Sequence, residues 1–292
     1  MKTFFYCALA AGLFLSACAS APVPPPAPQE EPRHVPSFSP PSLVFDGIQA
    51  EDPDNLTLLF SLEIENSFPY AGLVRIESWQ AEINGQVAHV GFSLEGTENS
   101  FPIGAGASAV FPLKLAMDVP ALIAEGLAPA YNYEVNLITE LYFSALPAGV
   151  HVSGLAAFPG VRPPVFNITD IAILKAELIN TRFRVGMMIG NPNPFPLVLS
   201  AFGYELYGNG RLWADGIERN DIQIPAKTTV EGNLFLLMNF MGMRRSLLDQ
   251  IINLVEVNYR FTGEAQVNTG IDYLPTFITR FELSGFSRVL EN

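Results

Sequence analysis

The chain is poor in side chains that do chemistry. Its three histidines stand apart: His34 in a Pro-rich stretch, His89 after an Asn-Gly pair, and His151 in an alternating run. General acid–base work needs a positioned partner within hydrogen-bond reach, and none of the three shares a local motif with one. Gly104-Ala105-Gly106 lacks the third glycine and the strand-to-helix context of a phosphate-binding loop. Carboxylates do gather, as Asp46, Glu51, Asp52 and Asp54 and again as Asp215, Glu218 and Asp221. Neither group has the spacing of an EF-hand, so they read as solvated acidic surface, with calcium held by loop oxygens as the alternative. No catalytic residue, metal ligand or cofactor is expected, and the chain reads as a non-enzyme.

The two cysteines, Cys7 and Cys18, carry the one covalent reaction that is legible. Lys2 precedes an apolar run from Phe4 to Leu15, and Leu15-Ser16-Ala17-Cys18 follows. This is the order of a secretory signal, over residues 1–17, and the tetrapeptide resembles the bacterial lipobox. That resemblance implies diacylation of the Cys18 thiol, cleavage before it and acylation of the new amino terminus. Two or more acyl chains, palmitate among them, hold a protein stably on a membrane. Cys7 leaves with the signal and Cys18 is consumed by lipid, so the mature chain has no thiol for a disulfide or a nucleophile. Ala19 follows the cysteine in place of the Asp that retains many lipoproteins in the inner membrane, which points to the outer one.

Residues 18–41 hold nine prolines from Pro22 to Pro41 and little to bury. Such a tract extends as polyproline II, about 3.1 Å per residue, and suits a tether better than a ligand for a Pro-binding module. The ~250 residues that remain can form two ordinary domains. Hydrophobic residues make up 49% of the chain, enough for substantial cores. The formal charge of −13 becomes −14 once Lys2 is removed, which argues against nucleic acid and against anionic head groups.

Sliding the chain along itself reveals a repeat. At an offset of 125, Asn66-Ser67-Phe68-Pro69-Tyr70 falls on Asn191-Pro192-Asn193-Pro194-Phe195, Asn84-Gly85 on Asn209-Gly210, and Gly91 on Gly216. Upstream, Leu58, Phe60, Leu62 and Ile64 fall on Phe183, Val185, Met187 and Ile189, so the apolar face keeps its phase. Each copy then reads as a strand, a long alternating strand, a proline-broken exit, and a strand ending in Asn-Gly. Pro192, Pro194 and Pro196 each lack an N–H, so the exit leaves the sheet while staying extended. Asn-Gly is a hairpin signal because both residues accept positive φ; the extra Gly208 suggests an enlarged second turn. Period-3.6 patterns predict one helix per copy, Val119 to Leu127 and Arg244 to Val255. The pattern predicts a mostly β chain of two tandem antiparallel sandwiches, over 42–160 and 161–292, each with one short helix. The apolar run Leu234 to Met243 reads as a fully buried strand entering the second helix, with an acyl-chain groove as the alternative.

The second copy resembles the late embryogenesis abundant group 2 family, whose unit is also called the water stress and hypersensitive response (WHy) domain. The residues that carry the resemblance are Asn191-Pro192-Asn193, Pro196-Leu197, Tyr204, Asn209-Gly210, Gly216 and Ile224-Pro225-Ala226, in that order. They span about residues 164–288. The first copy keeps Asn66, Pro69, Asn84-Gly85 and Gly91 but has Ser67 and Phe68 at the Pro-Asn positions. The resemblance implies a compact sandwich related to fibronectin type III modules, no catalytic residues, and a role in water-stress protection or in the envelope. A carrier of lipid or another hydrophobic ligand is the competing expectation.

Overall fold

The structure, a computed structural model, describes residues 39–94, 100–144, 146, 148–175, 181–238 and 256–291. Cys18, His34, most of the Pro-rich tract and the expected helix at 244–255 lie outside these residues.

Between Ser42 and Pro159 nine strands form two layers. Strands β1 (Ser42–Ala50), β2 (Asn55–Glu65), β5 (Gly91–Leu94) and β7 (Ser108–Asp118) make one sheet in the order β1-β2-β7-β5. Strands β3 (Gly72–Ile83), β4 (Gln86–Ala88), β8 (Asn132–Phe143) and β9 (Val150–Pro159) make the other in the order β4-β3-β8-β9, with β6 (Ser100–Ile103) on β3. Alternation in β2 puts Leu58, Phe60 and Leu62 in the core with no exposure, as a period of two requires of a half-buried strand. Helix α1 (Val119–Ala124) is one and a half turns. Asp118 caps it by accepting from the Ala121 amide at 2.9 Å, Pro120 fills its first turn, and Val119 and Leu122 are its buried residues.

From Val165 the same order returns. Strands β10 (Val165–Lys175), β11 (Thr181–Gly190) and β15 (Thr229–Met238) pair as β10-β11-β15, as β1-β2-β7 do. Strands β12 (Leu197–Gly208), β13 (Arg211–Glu218), β16 (Glu256–Ile271) and β17 (Leu274–Glu291) pair as β13-β12-β16-β17, with β14 (Ile222–Ile224) on β12. Phe183, Val185, Met187 and Ile189 are buried in this second core.

The two halves close on opposite sides. In the first, the chain leaves β3 after β4 and β5 crosses to the facing sheet, where Gly91 to Leu94 pair with Ala116 to Leu113. In the second, β13 stays on β12 throughout, so Ile217 pairs with Gly203 and Glu218 with Phe202. The closure comes instead from β17, whose end runs parallel to β10 from Ile171 and Val289 to Ile173 and Glu291. One eight-stranded sheet thereby wraps around the second core.

Two expectations are corrected. The second Asn-Gly turn is not enlarged: Gly208 pairs with Arg211 across a two-residue turn. Gly208 is required for another reason, since a Cβ there would lie 2.1 Å from the Trp213 ring. The run beginning at Leu234 is not a fully buried strand. Leu234 and Leu236 are buried, but Phe235 is 68% and Leu237 56% exposed, because β15 lies at a sheet edge with one face in water. The rest of that run, from 239 on, lies outside the described residues.

Candidate functional site

The motif residues are brought together at the exits from β2 and β11, where the chain crosses between sheets. Asn66 and Asn191 are buried at 0% and 3% exposure. Asn66 Nδ2 donates to the Tyr70 carbonyl at 2.9 Å and the Gly104 carbonyl at 2.8 Å, and its Oδ1 accepts from the Phe68 amide at 3.1 Å. Asn191 repeats this: Nδ2 donates to Phe195 at 2.7 Å and to Ile224 and Pro225 at 3.2 Å, while Oδ1 accepts from the Asn193 amide at 2.9 Å. One amide side chain thus partners carbonyls that two loops would otherwise bury unpaired. Pro69 and Pro194 stand in bends of these loops, at 68–70 and 193–195, so the exits curve around the Asn and do not stay extended, and the Pro225 carbonyl also accepts from Thr228 Oγ1 at 2.9 Å.

The turns also repeat. Asn84 and Gly85 have φ of 50° and 77°, Asn209 and Gly210 of 47° and 77°, the type I′ pattern. Each Asn side chain reaches the neighbouring strand, accepting from the Glu134 amide at 2.9 Å or the Asn258 amide at 3.2 Å. Gly216 faces Tyr204 across β12 and β13, where a Cβ would stand 2.6 Å from the phenol oxygen. Burial beside Glu218 and Asp215 raises the Tyr204 pKa.

Asn193 has a task that the repeat hides. Fully buried, it donates through Nδ2 to the Arg162 carbonyl and accepts at Oδ1 from the Arg162 amide, both at 2.8 Å. Arg162 belongs to the segment joining the halves. Beside it, Lys227 donates its amide to the Asn193 carbonyl at 3.0 Å and its Nζ to the Pro192 carbonyl at 2.8 Å. Its ammonium stands 2.9 Å from the centre of the Tyr131 ring, and the Arg162 guanidinium packs on that ring too. The hydrogen bond from Lys227 and its positive charge lower the Tyr131 pKa. Tyr273 completes the joint, with its hydroxyl on the Pro159 carbonyl at 2.5 Å and its ring edge-on to Phe158. In the sequence this position shows only as a mismatch between the copies, Phe68 against Asn193. The signal available was that the second copy alone has a polar residue there.

The remaining candidates do not converge. His89 Nδ1 lies 3.4 Å from Glu125 Oε2 on the surface, and His151 on β9 pairs in register with Glu140 on β8. Among the described residues no three His, Cys, Asp or Glu side chains gather in a metal-holding group. The acids instead bond locally. Asp46 accepts from Ser61 Oγ at 2.6 Å, Asp52 from the Asp54 and Asn55 amides at 2.9 and 2.8 Å, and Glu218 from the Asn220 amide at 2.9 Å. A cleft of about 370 Å³ opens between β13–β14 and β15, with Met187, Ile189, Phe202 and Leu234 along its floor.

Fold and site define a β-sandwich protein whose distinctive residues are structural. Residues 188–274 match the family model described as late embryogenesis abundant protein, LEA_2. The match supports that family for the second half of the chain and, in general terms, a stress-related or binding role. No curated protein matches the chain. Among solved structures, a protein from Archaeoglobus fulgidus shares 17% identity over 43% of this chain and 97% of its own, at a TM-score of 0.26. Red sea bream transglutaminase shares 12% over 88% of this chain and 32% of its own, at 0.25. The CupB2 chaperone of Pseudomonas aeruginosa shares 13% over 77% and 92%, at 0.19. Scores this low carry no argument.

Proposed function

We propose that the chain is a non-enzymatic envelope lipoprotein, anchored through acyl chains on Cys18, that carries two tandem LEA type 2 sandwiches and acts by contact, in stress protection or envelope organisation. The observation that carries the reading is the repeat of one buried Asn, at one crossover, in two halves with the same strand-pairing order, the second of which matches the family. Buried motif residues spent on backbone carbonyls have no donor or acceptor left for a substrate. The halves are read as 42–160 and 161–292, the membrane as the outer one, and nucleic acid as no partner.

Labelling with radioactive palmitate tests the anchor: the wild-type chain takes up label and partitions with outer membranes, and Cys18→Ser does neither. Drying a labile enzyme with the purified protein tests protection. Retained enzyme activity, relative to an equal mass of serum albumin, is the expected result, and no excess over albumin removes the stress role.

The carrier of a hydrophobic ligand is the second reading, favoured by the apolar floor of the cleft beside β15. Native mass spectrometry of protein purified without detergent decides between them, since a carrier retains close to one lipid per chain.

A further inference from the structure

The two ends of the second half differ in what they meet. At one end Asn193 and Lys227 fasten the sandwich to Arg162 and Tyr131. The far end is made by the Asn209–Gly210 turn, the starts of β11 and β16 and the ends of β10, β15 and β17. Phe183 stacks there on Trp213 at 5.4 Å and ties the strands of this end together. The corresponding end of the first half, with Tyr131 and Pro159, meets Lys227 and Tyr273 of the second. The far end of the second half carries exposed groups instead.

Charge segregates at that end. The chain has 16 Lys and Arg against 29 Asp and Glu. Yet stretches 172–175, 181–184, 207–212, 235–238, 256–260 and 285–291 hold Lys175, Arg182, Arg184, Arg211, Arg260 and Arg288, with Glu256 and Glu291 as their acids. The same stretches carry the two most exposed aromatic side chains among the described residues, Phe286 at 72% and Phe235 at 68%, and the exposed Leu237 and Leu212. Phe235 lies opposite Arg184 and Leu237 opposite Arg182, facing outward because alternation sends Leu234 and Leu236 into the core. In strand order around the sheet, apolar and cationic groups alternate: Leu212 on β13, Arg260 of β16 packed on the Tyr207 ring of β12, Phe286 on β17, Arg182 and Arg184 on β11, Phe235 and Leu237 on β15. Grouped exposed apolar side chains mark a docking surface. A belt that mixes them with long cationic side chains suits the interface of a bilayer, where one part is apolar and the other wet.

We infer that this end of the second half docks on the surface of a phospholipid bilayer, with Phe235, Leu237, Phe286 and Leu212 entering the head-group region and Arg182 and Arg211 bonding lipid phosphates. The planar donors of a guanidinium match the free oxygens of a phosphodiester. The occupant follows from the chain that precedes the fold. Residues 18–41 begin at the Cys18 of the proposed anchor and extend over roughly 75 Å at about 3.1 Å per residue, which keeps a bilayer within reach of the folded part. Contact by the second half is then intramolecular, so a weak surface suffices. The acidic remainder of the chain, −13 overall, keeps its other faces off anionic head groups and leaves this end to make the contact. A second copy is disfavoured, because two such ends would set arginine against arginine.

The inference rests on the reading of the chain as an envelope protein and adds a second membrane contact to the acyl anchor. Its test uses the whole chain from residue 18, with Cys18→Ser so that no acyl chain contributes, titrated with vesicles of phosphatidylethanolamine and phosphatidylglycerol. Saturable co-sedimentation is expected. Phe235→Trp, read as difference emission against the parent chain, should shift to shorter wavelength on adding vesicles and be quenched by brominated acyl chains. Leu155→Trp, at an exposed position on β9 of the first half, should do neither. Arg182→Glu with Arg211→Glu, and separately Phe235→Ser with Leu237→Ser, should each weaken vesicle binding at least tenfold at an unchanged thermal midpoint. Absence of saturable binding, indifference to both pairs of changes, or an equal shift from Leu155→Trp overturns the inference. So does Phe235→Trp emission already at short wavelength without lipid: independent of protein concentration, it assigns the cover to residues 239–255, and growing with concentration, it assigns it to a second copy. Palmitate labelling reads the anchor and the vesicle titration reads this end. Failure of the titration therefore leaves the anchor standing, and an unlabelled chain that still binds vesicles through this end removes the anchor alone.

Discussion

Asn193 and Arg162 bond to each other twice, side chain to main chain, with both distances at 2.8 Å. The Asn amide imitates one rung of an antiparallel ladder and fastens the second half to the segment that leads into it. Asn193→Ala leaves the Arg162 amide and carbonyl without those partners and should cost about 2–3 kcal/mol. Urea unfolding measures the loss, and the Arg162 amide should exchange faster than its neighbours in the variant.

Asn191 and Asn66 should be equivalent in their own halves. Either one changed to Ala leaves carbonyls buried without donors, a destabilisation of about 3 kcal/mol. Asn191→Asp should be worse at neutral pH, since a carboxylate would face three carbonyls, and should recover as acid protonates it. Pro194→Ala and Pro69→Ala act mainly through the unfolded chain and should cost about 0.5–1 kcal/mol, lowering thermal stability more than they alter any binding. A stable Pro variant that loses binding would overturn the structural role.

Lys227 sits at a φ of 56°, where the first half has Gly106 at 63°. A left-handed conformation is costly for any residue with a Cβ, and Lys227 offsets that cost through Pro192 and Tyr131. Lys227→Ala loses both contacts and keeps the strain. It should be less stable than Lys227→Gly by about 1 kcal/mol, read from paired urea curves.

Gly208 lies under the Trp213 ring, which stacks on Phe183 at 5.4 Å between centroids. Gly208→Ala must push the ring aside and should cost about 1–3 kcal/mol. Trp213 is buried, so its displacement should shift the fluorescence emission to longer wavelength while the fold survives.

Asp54 has its pKa raised above 3.8, chiefly by burial and then by the charges of Asp52 and Asp118. The folded state therefore holds this proton more tightly than the unfolded state, so stability falls as pH rises through the folded pKa and the penalty stays in place above it. Asp54→Asn should raise the melting temperature at pH 7. The gain should vanish below pH 3.8, where both states are protonated. Melting curves at pH 3 and pH 7 check both ends.

Much of the architecture is written in local sequence patterns. A period of two fixes which residues of β2 and β11 face inward, and Asn-Gly admits the positive φ of a type I′ turn wherever it stands between alternating runs. Three prolines at Asn191–Leu197 cannot sit in a central strand, so the crossover was local chemistry too. These features depend on neighbours within a few residues, and that is why the sequence alone determines them. The double bond of Asn193 to Arg162, the choice of Lys where the first half has Gly, and the side on which each sandwich closes were not readable. Each depends on which distant backbone comes to lie beside a residue. The sequence shows β5 and the end of β13 as copies of one segment, Gly91 on Gly216. Only the tertiary structure decides that one crosses to cover its facing sheet and the other stays, because the contest is between two sheet edges more than twenty residues apart along the chain, which no short-range pattern encodes.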